Sequence, residues 1–123
     1  MKIAICPGSY DPVTYGHLDI IKRSAVLVDK LIVTVFVNPS KKTSLFSIEE
    51  RLDMLRETTK DIPNVEVDTS TGLLNVYAAS KNCHLLIRGL RAFSDFEYEF
   101  QRALMIKKID PTLETAFFMT DGR

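Results

Sequence analysis

The sequence of 123 residues holds little that would build a metal site, a disulfide framework or a strongly charged surface. It has two histidines and two cysteines, Cys6 and Cys83, and neither cysteine belongs to a CxxC pair. A structural zinc site is therefore not expected, and both cysteines are expected to be buried thiols in a reducing compartment. Sixteen basic side chains balance sixteen acidic ones, so no net charge draws the chain to nucleic acid or to a membrane surface.

Long apolar segments, internal repeats and low-complexity linkers are also lacking. No apolar run approaches the roughly 20 residues that cross a bilayer. Met1 leads directly into an apolar strand rather than into a charged and then apolar leader. We therefore expect a soluble, cytoplasmic protein, and a hydrophobic content of 46% over this length suits a single domain with its own core.

What the sequence does contain is a regular alternation of short apolar runs with amphipathic segments. The predicted strands are residues 2–6, 31–37, 64–69, 84–87 and 115–119, and the predicted helices are residues 14–28, 47–59, 73–81 and 94–109. Capping-box patterns mark two helix starts, Ser47 with Glu50 and Ser94 with Glu97. This order predicts an α/β fold, a doubly wound sheet of five parallel strands with helices on both faces.

In such a sheet, ligands bind at the carboxyl ends of the strands, near the point where the strand order reverses. Glycines and polar residues follow four of the predicted strands: Gly8-Ser9, residues 38–42, Gly72 and residues 89–91. We therefore expect the functional site at this edge.

The turn after the first strand carries the most specific signal. Gly8 is expected to permit a tight turn and close approach of a ligand, and Ser9 offers a hydroxyl. A helix starting near Thr14 would direct its N-terminal N–H groups at a phosphate. The Nε2–H group of His17 could then donate to a phosphoryl oxygen on which charge develops. The simpler alternative is that Thr14 only caps the helix and His17 is a surface histidine.

Basic residues follow two further strands. Arg88 and Arg91 flank Gly89 just beyond the fourth predicted strand, and guanidinium groups bind phosphate bidentately. Lys41 and Lys42 follow the second strand, although two lysines in a polar loop can be merely solvated. We expect a local cluster of positive charge here.

Two other pairs have equally simple structural explanations. Asp95 and Glu99, one helical turn apart, could be a helix-dipole partner and a solvated acid. For Leu73 and Leu74, packing in the core is the simpler interpretation.

Together these segments resemble a known family. The stretch from Gly8 to His17 is similar to the T/HxGH signature of the Rossmann-like nucleotidyltransferases. Residues 39–42 (PSKK), 87–92 (IRGLRA) and 95–101 (DFEYEFQ) narrow the resemblance to the phosphopantetheine adenylyltransferases of coenzyme A synthesis. The similarity extends in register from Lys2 to about Met119. It implies a single nucleotidyltransferase domain over residues 1–123.

The resemblance also implies an activity and its residues. The family transfers the adenylyl group of ATP to 4′-phosphopantetheine, giving dephospho-coenzyme A and pyrophosphate. The catalytic residues implied are His17, Lys41 and Arg91. Those implied for ATP are Gly8, Ser9, Tyr10, His17, Gly89, Arg91 and Glu99. Those implied for the acceptor are Ser9, Lys41, Leu73, Leu74 and Arg88, the leucines through their backbone.

The expected mechanism needs few parts. A phosphate monoester has a second pKa near ~6, so it is an anionic nucleophile at neutral pH without a general base. Mg²⁺ would be held mainly by nucleotide phosphates and water, with no protein cage. The resemblance further implies a homo-oligomer, a hexamer, that binds ATP, 4′-phosphopantetheine and dephospho-coenzyme A or coenzyme A, and no nucleic acid.

Some features depart from the family. The sequence has no Ser-Ser-Ser run like the family's phosphate-binding loop, so a C-terminally truncated member is expected. Ile106 stands where the family commonly has asparagine, and Asn75-Val76 replaces Val-Asp. Two alternatives follow: a non-catalytic assembly subunit that binds nucleotide or coenzyme A, and a related transferase that uses CTP or a nicotinate mononucleotide acceptor.

Overall fold

The computed structural model describes residues 1–37, 44–90 and 93–120, with only the backbone described for residues 93–95. Strands and helices alternate throughout. In chain order they are β1 (Ile3–Gly8), α1 (Tyr15–Ala25), β2 (Lys30–Phe36), α2 (Ile48–Thr59), β3 (Val65–Ser70), α3 (Leu74–Ser80), β4 (Leu85–Leu90), α4 (Phe93–Ile109) and β5 (Glu114–Met119).

The strands form one sheet in the order β3-β2-β1-β4-β5, and all neighbours are parallel. The chain first moves outward from β1 through β2 to β3, then returns across the sheet to β4 on the other side of β1. This reversal between β1 and β4 opens a crevice at their carboxyl ends. The predicted Rossmann-like, doubly wound α/β fold is confirmed.

Side chains of successive strand residues point to opposite sides of the sheet. Both faces therefore carry apolar side chains, and helices cover each of them. Ala4 faces a core that contains buried side chains of α1 and α2, whereas Ile5 faces a core that contains those of α3. The helix α4 packs at the margin of the second core through Ile106. Cys6 and Cys83 are buried and free, one in each core, as predicted.

The helix start predicted at Ser47 agrees closely with the structure. Ser47 is the N-cap of α2: the Glu50 N–H donates to Ser47 Oγ at 3.1 Å, and the Ser47 N–H donates to Glu50 Oε1 at 2.9 Å. These bonds from Ser47 lower the pKa of the Glu50 carboxyl. The capping box therefore fixes where α2 begins.

Four predicted boundaries are wrong. The first strand was predicted to end at residue 6, before a turn at Pro7-Gly8, but β1 runs to Gly8 because Pro7 and Gly8 pair with Thr34 and Val35 of β2. The strand β4 runs to Leu90 rather than ending at residue 87, because β5 continues the ladder and pairs Arg88 with Phe117 and Gly89 with Phe118. Helix α4 begins before Ser94, so Ser94 is not its N-cap.

Helix α1 was predicted to reach residue 28 but ends at Ala25. There the Asn64 side chain donates to the carbonyl groups of Ala25 and Val28 at 2.7 and 3.1 Å.

Within the described part of the chain, no helix combines the length and the apolar character that a membrane crossing requires.

Candidate active site

A cleft of about 1140 Å³ opens at the carboxyl ends of β1 and β4, where the strand order reverses. Its lining includes most of the predicted site residues that the structure describes. They are Gly8, Ser9, Tyr10, His17, Leu73, Leu74, Arg88, Gly89 and Glu99. This cleft thus lies at the edge of the sheet where the site is expected.

The turn after β1 is built around Tyr10 rather than Gly8. Tyr10 has a φ of 47° and is 2% exposed, and its hydroxyl donates to the Cys6 carbonyl oxygen at 2.9 Å. Gly8 does not have a positive φ, and a Cβ atom there would lie 3.1 Å from the Tyr10 ring. The prediction that Gly8 permits the tight turn is therefore wrong: Gly8 leaves room for the Tyr10 ring, and Tyr10 makes the turn.

Burial keeps the groups beneath this turn neutral. It raises the pKa of the Tyr10 phenol well above its ordinary value, and the neighbouring Cys6 thiol raises it further. Burial also raises the pKa of Cys6. The Tyr10 hydroxyl is bonded to the Cys6 carbonyl oxygen. A contact between Tyr10 and ATP stays a prediction.

His17 is held at the start of α1 by its own helix cap. The Thr14 N–H donates to His17 Nδ1 at 3.0 Å, and the His17 N–H donates to Thr14 Oγ1 at 3.2 Å. The Tyr10 ring meets the imidazole edge-on, with the ring centroids 4.9 Å apart. Because Nδ1 accepts a backbone N–H, the proton of the neutral imidazole lies on Nε2.

Thr14 does cap the helix, as the simpler alternative proposed, but the cap also uses the His17 ring. The same contacts that satisfy the helix end therefore orient a donor in the wall of the cleft. This is the arrangement that stabilisation of a phosphoryl oxygen requires.

Arg88 and Glu99 form a buried ion pair across the cleft wall. Arg88 Nε lies 3.3 Å from Glu99 Oε2, and their side chains are 13% and 16% exposed. Glu99 Oε2 has no hydrogen bond of good geometry among the described residues, so the contact with Arg88 is an ion pair only. Two residues expected to contact different substrates are therefore in contact with each other.

A second arginine adds to this charge. Arg102 Nη1 lies 3.9 Å from Glu99 Oε1 and also lines the cleft. Burial lowers the pKa of Arg88, the like charge of Arg102 lowers it further, and Glu99 opposes both. An arginine remains protonated even so, and two cations with one carboxylate leave this wall suited to an anion.

The wall beside α3 is apolar and corrects one expectation. Leu73 is 65% exposed, so its predicted packing in the core is wrong, whereas Leu74 packs against the core beneath α3. Tyr77 fixes this helix, since its hydroxyl donates to Asp68 Oδ2 at 2.6 Å. Together with Ile106 of α4, the two leucines add apolar side chains to the lining of the cleft.

Several expected residues lie outside the described part of the chain. Lys41, Lys42 and Arg91 are among them, as is the side chain of Asp95. Their predicted roles rest on the resemblance.

Arg51 and Arg102 line the cleft, and neither was predicted as a site residue. Arg51 of α2 is 6% exposed, and its Nη1 donates to the Ser9 carbonyl oxygen at 3.1 Å. A signal was available, because Arg51 stands next to Leu52 on the buried stripe of α2, where a charged side chain is unusual.

The described residues do not form a magnesium cage. No three of their His, Cys, Asp or Glu side chains come together. Of the carboxylates in the cleft lining, Asp11 accepts two backbone N–H groups and Glu99 is paired with Arg88.

The strand order and a phosphate-suited crevice beside an oriented histidine define a Rossmann-like nucleotidyltransferase. The family model described as cytidylyltransferase-like matches residues 5–123. A pantoate-β-alanine ligase structure from Francisella tularensis superposes with a TM-score of 0.70 at 14% identity, covering 99% of this chain and 60% of that one. At that identity the likeness shows the fold alone.

Curated relatives are far more similar. A phosphopantetheine adenylyltransferase from Caldanaerobacter subterraneus subsp. tengcongensis is 62% identical over 123 residues, which are 100% of this chain and 76% of that protein. Another from Desulfosudis oleivorans is 58% identical and is covered to 73%. The chain belongs to the phosphopantetheine adenylyltransferase family. Neither alternative, a CTP-dependent transferase or a non-catalytic subunit, finds support among these relatives.

Proposed function

We propose that the protein transfers the adenylyl group of ATP to 4′-phosphopantetheine, a step of coenzyme A biosynthesis. An oxygen of the acceptor phosphate attacks the α-phosphorus of ATP and forms a new P–O bond. The bond from the α-phosphorus to the oxygen that bridges to the β-phosphate breaks, and pyrophosphate leaves. The products are dephospho-coenzyme A and pyrophosphate.

The observation that carries this proposal is the orientation of His17. Its Nδ1 accepts from Thr14, which places the proton of the neutral ring on Nε2, and we assign this N–H as the donor to an oxygen of the α-phosphate. That oxygen gains charge in the transition state, and a donor already in place stabilises it without reorganisation. The attacking phosphate is anionic at neutral pH, so no general base is required.

The cleft also suits the acceptor. Arg88 would bind its phosphate, and the apolar wall with Leu73, Leu74 and Ile106 would contact its arm. Ser9 follows β1 directly and is exposed in the cleft, where it could contact both substrates. Correct alignment of two bound phosphates supplies much of the acceleration in such reactions.

The remaining parts come from the resemblance. Lys41 and Arg91 would contact phosphates, with Gly8, Gly89 and Glu99 on the nucleotide side, and Mg²⁺ would enter with the nucleotide. The two buried, free cysteines support a cytoplasmic location. Exposed apolar side chains on α4, such as Phe100 and Leu104, support a homo-oligomer, for which we propose a hexamer.

The test is pyrophosphate release with ATP and 4′-phosphopantetheine. His17→Ala is expected to lower kcat by a factor of roughly 100 to 1000, the loss seen when one transition-state donor is removed. The matched control is His84→Ala, because His84 is exposed and precedes β4, at the opposite edge of the sheet. Wild-type rates in both variants would overturn the assigned role of His17.

A further inference from the structure

We propose that Arg51 and Asp11 act as positioning residues for this reaction, because together they clamp the first turn onto the start of α2 and fix Ser9 in the cleft. The inference rests on the proposed function for its catalytic consequence. The clamp itself is a matter of geometry and can be measured without turnover.

The first half of the clamp runs from α2 to the turn. Arg51 Nη1 donates to the Ser9 carbonyl oxygen at 3.1 Å, and Nε donates to the Ser47 carbonyl oxygen at 3.4 Å. Arg51 is buried, yet it forms no ion pair with a carboxylate in the part of the chain that the structure describes. A cation buried on carbonyl groups is costly compared with an apolar side chain of equal size, so its contribution lies in geometry rather than in stability.

The second half runs in the opposite direction. Asp11, in the turn, accepts from the Leu45 N–H at Oδ2 and from the Phe46 N–H at Oδ1, both at 2.8 Å. Leu45 and Phe46 lead directly into the cap of α2. Each segment thus extends one charged side chain to the backbone of the other, and charge-assisted hydrogen bonds of this kind are the stronger ones.

The clamp acts on the backbone of the turn. Ser9 is exposed at the cleft, whereas its carbonyl oxygen is held by Arg51. The next residue, Tyr10, is fixed from below through its bond to Cys6. With its carbonyl oxygen held, the Ser9–Tyr10 peptide is restrained, which limits the positions that the Ser9 hydroxyl can take in the cleft. A displacement of about 1 Å can cost a factor of about 100 in rate.

The first measurement is amide hydrogen exchange by NMR, which needs no activity. Asp11→Asn should accelerate exchange at Leu45 and Phe46, because an amide group offers one acceptor oxygen for two donors. Arg51→Met removes no bond to either amide, yet it should also accelerate their exchange at least about tenfold if the two halves act as one clamp. Exchange at the wild-type rate in Arg51→Met would overturn the clamp, whatever the enzyme does.

The second measurement is steady-state kinetics with both substrates. Arg51→Met, Arg51→Lys and Asp11→Asn should each lower kcat about 10- to 100-fold and change the two KM values less than about threefold, because the residues act through Ser9. The Arg51→Met/Asp11→Asn double variant should be no more than about threefold slower than the slower single variant. Independent effects would multiply instead and would contradict the clamp.

The matched control is Arg56→Met on the exposed side of the same helix, where Arg56 pairs with Asp53. It should keep wild-type kcat. If Arg51→Met does not fold, Asp11→Asn carries the test, since Asp11 lies in a partly exposed turn. Folded Asp11→Asn with kcat within threefold of wild type would overturn the catalytic part, whereas an inactive wild type with an intact exchange pattern would contradict only the proposed function.

Discussion

At the scale of single residues, the site depends on side chains that satisfy the backbone and face the cleft at the same time. His17 completes the cap of α1 with Thr14, and the bond to its Nδ1 places the proton of the neutral ring on Nε2. A histidine in a helix cap is thereby turned from a surface residue into an oriented donor. No additional structure is needed to aim it.

This arrangement predicts the tautomer of His17. In ¹⁵N NMR spectra of the neutral ring, Nε2 should carry the proton and Nδ1 should not. Thr14→Ala removes the hydroxyl that accepts from the His17 N–H and should lower the free energy of unfolding by about 1 kcal/mol. It keeps the backbone N–H that donates to Nδ1, so the tautomer should stay the same. A protonated Nδ1 in the wild type would contradict the proposed donor.

Tyr10 gives a prediction about alkaline stability. Its pKa is raised in the folded state, so the unfolded chain releases this proton first, at about its ordinary value of 10.0. The stabilisation is therefore complete below pH 10 and is lost as the pH rises towards the folded pKa. Between pH 9 and pH 11, roughly the window that brackets the ordinary value, the free energy of unfolding should fall less in Tyr10→Phe than in the wild type. Denaturant titration at each pH measures this difference. The exposed Tyr15 offers the control Tyr15→Phe, which should keep the wild-type pH dependence.

At the scale of elements, the site requires α1 to lie close to β4. A Cβ atom at Gly89 would lie 3.0 Å from Ile20 Cγ1 and 3.3 Å from Thr120 Cγ2. Ile20 belongs to α1, the helix that carries His17. Because Gly89 has no Cβ atom, α1 and its His17 can lie close to β4, the strand that carries Arg88.

Gly89→Ala should push α1 away from the sheet. We expect a loss of about 1–3 kcal/mol in the free energy of unfolding, as for other overpacked cores, together with a lower kcat. Adding Ile20→Ala removes the obstructing atoms, so the double variant should be more stable than the sum of the two single changes predicts. Additive losses in calorimetric or denaturant unfolding would show that this contact is not the cause.

Local signals in the sequence predicted the elements well. The alternation of apolar runs and the Ser47–Glu50 cap depend on residues three or four apart, and both agree with the structure. The end of β4 was missed because its last residues are strand only through pairing with β5. The Arg88–Glu99 ion pair was missed because it joins a strand to a helix, a relation that spacing along the chain does not reveal.

The first turn was half predicted. The turn was predicted at Pro7-Gly8 but lies beyond them, because both residues belong to β1. Its histidine follows from the order strand, Gly-Ser, helix. Its conformation does not, because a tyrosine with a positive φ is rare and the preceding glycine was the natural candidate. Arg51 was missed for a related reason, since a charged residue on a buried stripe is explained only by the turn it reaches.

At the scale of the whole molecule, a chain without net charge concentrates cations at one place. Arg88 and Arg102 share one carboxylate in the cleft, and Leu73, Leu74 and Ile106 add apolar side chains to the same lining. This combination suits an acceptor that has a phosphate and a less polar arm, as adenylyl transfer to 4′-phosphopantetheine requires.

The most direct test of that claim is to identify the products. The purified protein incubated with ATP, Mg²⁺ and 4′-phosphopantetheine should form dephospho-coenzyme A and pyrophosphate in equal amounts, measured by mass spectrometry and a coupled pyrophosphate assay. CTP in place of ATP should give neither product above background. Failure to form dephospho-coenzyme A, while ATP and the acceptor both bind, would contradict the account.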